Sequence, residues 1–258
     1  MLLEADRLKV RYENGALGVI DISLAVAPGQ VVAMVGANGA GKSTTLRAIS
    51  GFARAEGARV IDGSVRVDEH EMTNREPYQY SKAGIHCIPE RNKVFANLTV
   101  TENLLAIGTL PRKPVRRALL ARIEDMFPPL AARRSQPAGR LSGGERQMLA
   151  IARGMMSQPR LLAIDEMTLG IHPDVQAVLF EAVRHIAANG TAVIIADENV
   201  RLALDLADYC YHIESGQIAF SGLPGEYRAS GRFGTTGQAS VTAPPAQAIP
   251  GPEKRARP

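Results

Sequence analysis

The residues best suited to chemistry stand together at Gly36-Ala37-Asn38-Gly39-Ala40-Gly41-Lys42-Ser43-Thr44. The apolar run Val31–Val35 precedes them and the helical segment Thr45–Ile49 follows. The pattern G-x-x-x-x-G-K-[ST] therefore falls between a strand and a helix, the context that makes it a phosphate cradle. Glycines let such a loop curl until successive backbone N–H groups converge on phosphate oxygens. The helix behind it adds unpaired N–H groups and the positive end of its dipole. Lys42 supplies a point charge for the β and γ phosphates, and the Ser43 hydroxyl is a ligand for magnesium. The spacing predicts a site for ATP with Mg2+ built from Gly36, Asn38, Gly39, Ala40, Gly41, Lys42, Ser43 and Thr44. Farther on, the apolar run Leu161–Ile164 ends in two carboxylates. In company with the phosphate loop, Asp165 is expected to bind magnesium and Glu166 to activate water as general base.

A third segment, Leu141-Ser142-Gly143-Gly144-Glu145-Arg146-Gln147, opens a helix expected over Gln147–Met156. Ser142 with Glu145 three residues later is a capping box. Two glycines in a first turn cost about 1 kcal/mol each. That cost makes sense where bare backbone must approach a ligand, and an anion is what a helix start attracts. The first loop can already surround the phosphates of one nucleotide, so the second start is expected to serve the nucleotide of another subunit.

These groups need a scaffold. Short apolar runs at Val31–Val35, Ile85–Ile88, Leu161–Ile164 and Ala192–Ile195 suit strands buried on both faces of a mainly parallel sheet. Between the last two, Val175, Val178, Leu179, Ala182, Val183 and Ile186 form one helical stripe, closed by Asn189-Gly190. Strand, helix, strand is a βαβ unit, and the fold class is α/β. The start differs: Leu2–Tyr12 and Val19–Val26 read as antiparallel strands around an Asn14-Gly15 turn. From Thr101 to Gln158 the pattern is helical, broken at Pro111, Pro114 and Pro128-Pro129, as for a helical subdomain inserted between strands. Residues 228–258 carry few large apolar side chains and are expected to be a disordered tail.

Composition excludes several classes. With 45% hydrophobic and 22% charged residues, the 258-residue chain is of globular type. The net charge of +4 comes from scattered Lys and Arg without interleaved aromatic residues, so no nucleic-acid partner is expected. Cys87 and Cys210 each lie in an apolar stretch, which suits reduced thiols in a reducing compartment. Residues 1–15 reach charged residues at once, so no signal peptide is expected there. No apolar run approaches the ~18 residues of a membrane span, so membrane association is expected to come through partners.

The segment LSGGERQ resembles the signature of ABC ATPases, and its place between the phosphate loop and the acidic strand matches that family. The resemblance covers roughly residues 3–227. It implies a P-loop nucleotide-binding domain over 1–227, with an N-terminal antiparallel β subdomain and a helical subdomain at about 91–157. It further implies ATP hydrolysis coupled to transport, in a head-to-tail pair where Ser142, Gly143, Gly144 and Glu145 act in trans on the partner's ATP. Tyr12 occupies the place of the aromatic residue that stacks on adenine, the alternative being an ordinary surface Tyr of the hairpin.

Finer features are similar to the second ATPase subunit of bacterial branched-chain amino acid importers. They are Pro89-Glu90-Arg91, Val94-Phe95, Leu98–Leu104, Leu169-Gly170 and Glu198–Leu204 ahead of Leu206-Ala207-Asp208. Urea, amide and aromatic-acid importers use close relatives of that subunit. The implied partners are a second ABC ATPase, identical or not, two integral membrane permease subunits and, indirectly, a solute-binding protein. The implied place is the cytoplasmic face of the bacterial inner membrane. DNA-maintenance ATPases share both motifs but insert long heptad coiled coils, and translation-control ABC proteins carry two such domains in one chain; this sequence has neither feature.

Several positions depart from the general family pattern. Glu90 stands in place of the glutamine beside magnesium, and Glu198 in place of the switch histidine, which this subfamily tends to replace with glutamine. Met167 replaces a proline and His172 an aspartate after Glu166. Glu198 therefore has two readings, a catalytic group facing the γ-phosphate or an acid stabilised at a helix start.

Overall fold

A computed structural model describes residues 1–91, 93–108 and 111–231. Among these, ten strands form one sheet in the order β5-β4-β1-β2-β10-β9-β3-β8-β7-β6. Its centre is parallel: β3 (Val31–Val35) lies between β8 (Ala192–Asp197) and β9 (Tyr209–Glu214), and β7 (Leu161–Asp165) links β8 to β6 (Ile85–Ile88). Every residue of β3, β7 and β8 is buried. Successive residues serve two cores. Leu161, Ala163, Ala192, Ile194 and Ala196 join the one that includes helix α1 (Lys42–Ser50), whereas Leu162, Ile164, Val193 and Ile195 join the one on the helical side. A Val, Leu or Ile buried in this way contributes about 1.5–3 kcal/mol, which explains why these runs are apolar without alternation.

The antiparallel part is larger than the sequence suggested. Strands β1 (Leu3–Tyr12) and β2 (Leu17–Val26) form the expected hairpin. Two later strands extend it: β4 (Ala58–Val67) pairs with β1, and the short β5 (His70–Glu71) pairs with β4. On the other side, β10 (Gln217–Gly222) folds back on β9 and touches β2 at Gln217↔Asp21. Helix α2 (Pro77–Lys82) leads into β6, and its Tyr80 is buried against α1, where its hydroxyl donates to the Met72 carbonyl (2.7 Å).

Between β6 and β7 run α3 (Val100–Leu105), α4 (Lys113–Met126), α5 (Pro128–Ala132) and α6 (Gly143–Met156). Pro114 and Pro128 lie in the first turns of α4 and α5, so these prolines start helices as well as interrupt them. Asn103 is fully buried and binds the loop before α3: its side-chain oxygen accepts from Phe95 N–H (2.8 Å) and its amide donates to the carbonyls of Phe95, Leu98 and Thr99. Helix α6 begins four residues earlier than the expected Gln147, because Ser142 caps it. Helix α7 (Pro173–Ala188) buries Leu179, Ala182, Val183 and Ile186 of the expected stripe. Helix α8 (Val200–Leu206) follows β8, and α9 (Pro224–Ala229) ends two residues past the expected domain end, anchored by buried Tyr227. Residues 232–258 of the expected tail lie outside the described residues.

Candidate functional site

The loop between β3 and α1 is held on three sides. A Cβ on Gly36 would overlap the Ile213 carbonyl oxygen, and one on Gly41 (φ +114°) would lie 2.7 Å from the Gly18 carbonyl. Only glycine fits at either position. Lys42 is buried and donates to the carbonyls of Gly36 (2.8 Å) and Ala37 (3.1 Å). Its ammonium also stands 3.8 Å from Glu166 Oε1. The Ser43 hydroxyl donates to Asp165 Oδ1 (3.0 Å), and the Tyr12 hydroxyl shares a 2.7 Å hydrogen bond with Thr44 Oγ1.

Tyr12, Asn38, Gly39, Gly41, Lys42, Ser43, Thr44, Glu90, Glu166 and Glu198 all line one cavity of about 710 Å3. Gly36 and Ala40 are buried behind the loop. Asp165 faces an adjoining cavity of about 510 Å3, shared with Arg47, Glu90 and Arg91, and reaches the first through Ser43. Glu90 pairs with exposed Arg91 at 3.3 Å. Parallel pairing brings these groups together, since β3, β8 and β7 all end at the same edge of the sheet.

Glu166 is the most perturbed carboxylate here. Burial, then the neighbouring Asp197, push its pKa up to about 7, against the pull of Lys42. Its Oε2 is buried and makes no hydrogen bond among the described residues. Its backbone is left-handed (φ +50°), a conformation that costs a non-glycine residue on the order of 1–3 kcal/mol and clusters at functional sites. Burial also raises the Asp165 pKa, opposed by the hydrogen bond from Ser43.

The second helix start lies apart from this cavity. Ser142 Oγ accepts from Glu145 N–H (3.2 Å) and Glu145 Oε2 accepts from Ser142 N–H (2.8 Å), the expected capping box. Neither residue lines the cavity, nor do Gly143 and Gly144. The two glycines also have different reasons to be there. A Cβ on Gly144 would stand 2.6 Å from Val175 Cγ1 of α7, so packing alone requires glycine. Gly143 is exposed, and its Cβ would meet nothing closer than Ile171 Cδ1 at 3.9 Å. Of the two, only Gly143 leaves bare backbone open to a ligand.

Among the departures from the family pattern, Glu198 lies just ahead of α8, whose cap is Asn199. Met167 is buried in the helical-side core, where an apolar side chain fits. His172 caps α7, its Nδ1 accepting from Asp174 N–H (3.4 Å). Sequence reasoning missed Asp197 and Thr168, both buried next to Glu166. The signal for Asp197 was an acidic residue closing an apolar strand, the same cue that exposed Asp165.

The family model described as ABC transporter matches residues 19–169. The chain is 38% identical over 218 residues to the high-affinity branched-chain amino acid transport ATP-binding protein BraG of Pseudomonas aeruginosa, covering 84% of this chain and 91% of that one. It is 35% identical over 234 residues to the probable branched-chain amino acid transport ATP-binding protein LivF of Archaeoglobus fulgidus, covering 90% of this chain and 96% of the relative. Among solved structures, a nucleotide-free ATP-binding cassette from an ABC transporter superposes with a TM-score of 0.77 at 24% identity, over 90% of this chain and 96% of that one. The site and the likeness agree: the chain belongs to the ABC transporter family, as an ATP-binding subunit and ATPase coupled to transport.

Proposed function

We propose that this subunit drives an importer of branched-chain amino acids or a related small solute. It works as one ATPase of a pair bound to two integral membrane permease subunits, at the cytoplasmic face of the inner membrane, with a solute-binding protein delivering cargo. The solute reading is supported by the likeness to BraG and LivF over most of the chain. The working domain is read as residues 1–227 with a helical subdomain at about 91–157. No helix among the described residues is long and apolar enough to cross a membrane.

The observation that carries the mechanism is Glu166, a strained, buried carboxylate with one unbonded oxygen beside Lys42. ATP phosphates occupy the Gly36–Thr44 loop, and Lys42 exchanges its bonds to the Gly36 and Ala37 carbonyls for phosphate oxygens. Glu166 takes a proton from water as that water's oxygen bonds the γ-phosphorus and the bond to the β-phosphate oxygen breaks. ADP and phosphate leave, and Glu166 returns its proton to solvent or product. Ser43 Oγ and Asp165 Oδ1 are hard oxygen donors, with Glu90 beside them, and suit magnesium, which needs few protein ligands when phosphates and water complete its shell. These groups would hold the metal, which would supply positive charge against the phosphates. Tyr12 is read as the aromatic residue that stacks on the base, a reading supported by its place on the border of the cavity. Ser142, Gly143, Gly144 and Glu145 serve the partner's nucleotide, a reading supported by their distance from their own chain's cavity and by the open face of Gly143.

Purification of the complex from solubilised membranes, then reconstitution in vesicles, tests this reading. Multi-span partners and ATP-driven uptake of labelled leucine are expected. Uptake of urea or an aromatic acid alone moves the chain to a sister importer, and the absence of multi-span partners overturns the transport role.

A further inference from the structure

Asp197 closes β8 with 1% of its surface exposed. Its Oδ2 accepts from Thr168 N–H (3.0 Å) and from Thr168 Oγ1 (2.8 Å), and its Oδ1 accepts from Asn199 N–H (2.9 Å). A carboxylate taken out of water is costly unless hydrogen-bonded, and here every bond goes to one of two loops. One follows β7 and contains Glu166; the other precedes α8 and contains Glu198. The strands lie in parallel register, Asp165 opposite Ala196, and Glu166 N–H donates to the Ala196 carbonyl (2.8 Å). Glu166 is thus fixed at its own amide by β8 and, two residues on, through Thr168 by Asp197. Left-handed conformations of non-glycine residues persist only where their surroundings over-determine them, and these are the surroundings.

We propose that Asp197 is a positioning residue for ATP hydrolysis: its carboxylate clamps Thr168 to hold Glu166 in its turned-back conformation, and it ties the Glu166 loop to the Glu198 loop so that both meet the γ-phosphate as one unit. The inference rests on Glu166 acting as general base. Asp197 does not line the cavity, so its effect falls on catalytic geometry and spares ATP binding, which belongs to the Gly36–Thr44 loop.

The test compares steady-state ATPase and ATP affinity of the full-length chain in its transporter complex for Thr168→Val, Thr168→Ser, Asp197→Ala and Glu166→Gln. Loss of one charge-assisted hydrogen bond predicts that Thr168→Val lowers kcat about tenfold with KM and ATP affinity within about twofold, while Thr168→Ser stays near wild type. Asp197→Ala loses all three bonds, and its kcat falls about a hundredfold or more with the same unchanged affinity. Wild-type kcat in Thr168→Val overturns the proposal, as does an Asp197→Ala protein with lowered melting temperature and ATP affinity but normal kcat when saturated. If Asp197→Ala does not fold, the two Thr168 variants decide alone. Glu166→Gln separates the layers. Wild-type turnover in that variant defeats the general-base assignment and the clamp with it, whereas an inactive Glu166→Gln beside a normal Thr168→Val defeats only the clamp.

Discussion

Two helices of this molecule begin with glycine and serine, and they begin in opposite ways. Helix α1 starts from buried Gly41 and Lys42, with Tyr12 at the end of β1 and Asp165 and Glu166 at the end of β7 converging on its first turn. Helix α6 satisfies its own first turn through Ser142 and Glu145 and leaves exposed Gly143 open. On the reading proposed above, the first is a complete phosphate site within one chain, and the second is half of a site whose cap is internal.

The largest effect expected from breaking this contrast is at Lys42. Lys42→Ala removes the cation of the complete site, and ATP affinity of the isolated chain should fall about a hundredfold or more, two charge-assisted bonds being lost; calorimetric titration checks it. An unchanged affinity would mean that the loop backbone alone holds the phosphates. At the half site, Gly144→Ala forces a methyl against Val175 and should destabilise the fold by about 1–3 kcal/mol in denaturant melts. Gly143→Ala should leave stability and ATP affinity of the isolated chain unchanged yet lower turnover of the assembled complex. Equal destabilisation by both substitutions would reduce Gly143 to a packing residue.

Smaller effects belong to the carboxylates around the complete site. An ionised Glu198 about 4 Å from a phosphate charge would repel it by about 4 kcal/mol at an effective dielectric of 20. The composite site containing this chain's own P-loop is therefore expected to be the slower one of a heteromeric pair. Glu198→Gln removes that charge and should tighten ATP binding and raise turnover several-fold, measured by calorimetric titration and steady-state ATPase. Unchanged affinity and turnover in this variant would place Glu198 as a helix acid only. The smallest change concerns stability. The Glu166 pKa is raised to about 7, so without nucleotide the folded chain keeps this proton where the unfolded chain has lost it. That contribution is full below the ordinary carboxylate range and fades as pH rises through about 7. Glu166→Gln should thus raise the melting temperature at pH 8 and leave it nearly unchanged at pH 4, by differential scanning calorimetry.

Much of this was legible in the sequence because it is local. The phosphate loop, the capping box and the α7 stripe are each written in a few neighbouring residues, and the buried runs of β3, β7 and β8 announce themselves by lacking alternation. What was not legible depends on distant packing. Nothing around Ala58–Val67 says that it pairs with β1 across the phosphate loop, and nothing around Gly144 says that Val175 will press on it. The Asp197–Thr168 bond joins residues 29 positions apart, and no local spacing encodes it. The prolines at 114 and 128 misled as breaks because proline is equally at home in a first helical turn.

The position of β3 has a further consequence, for the order in which the protein can be made. This strand carries the phosphate loop, yet Val31 pairs with Val193 and Val32 with Tyr209, and Gly36 rests against the carbonyl of Ile213. Its neighbours are synthesised about 160 to 180 residues later. At the roughly 5–20 residues per second of translation, β3 spends on the order of ten seconds or more outside the ribosome as an unpaired apolar segment. The nascent chain therefore holds a complete phosphate-binding motif that has no scaffold, and it is expected to gain nucleotide affinity only once β8 and β9 have been made. Truncation between the loop and β9 is therefore expected to remove ATP binding although every residue of the loop is present.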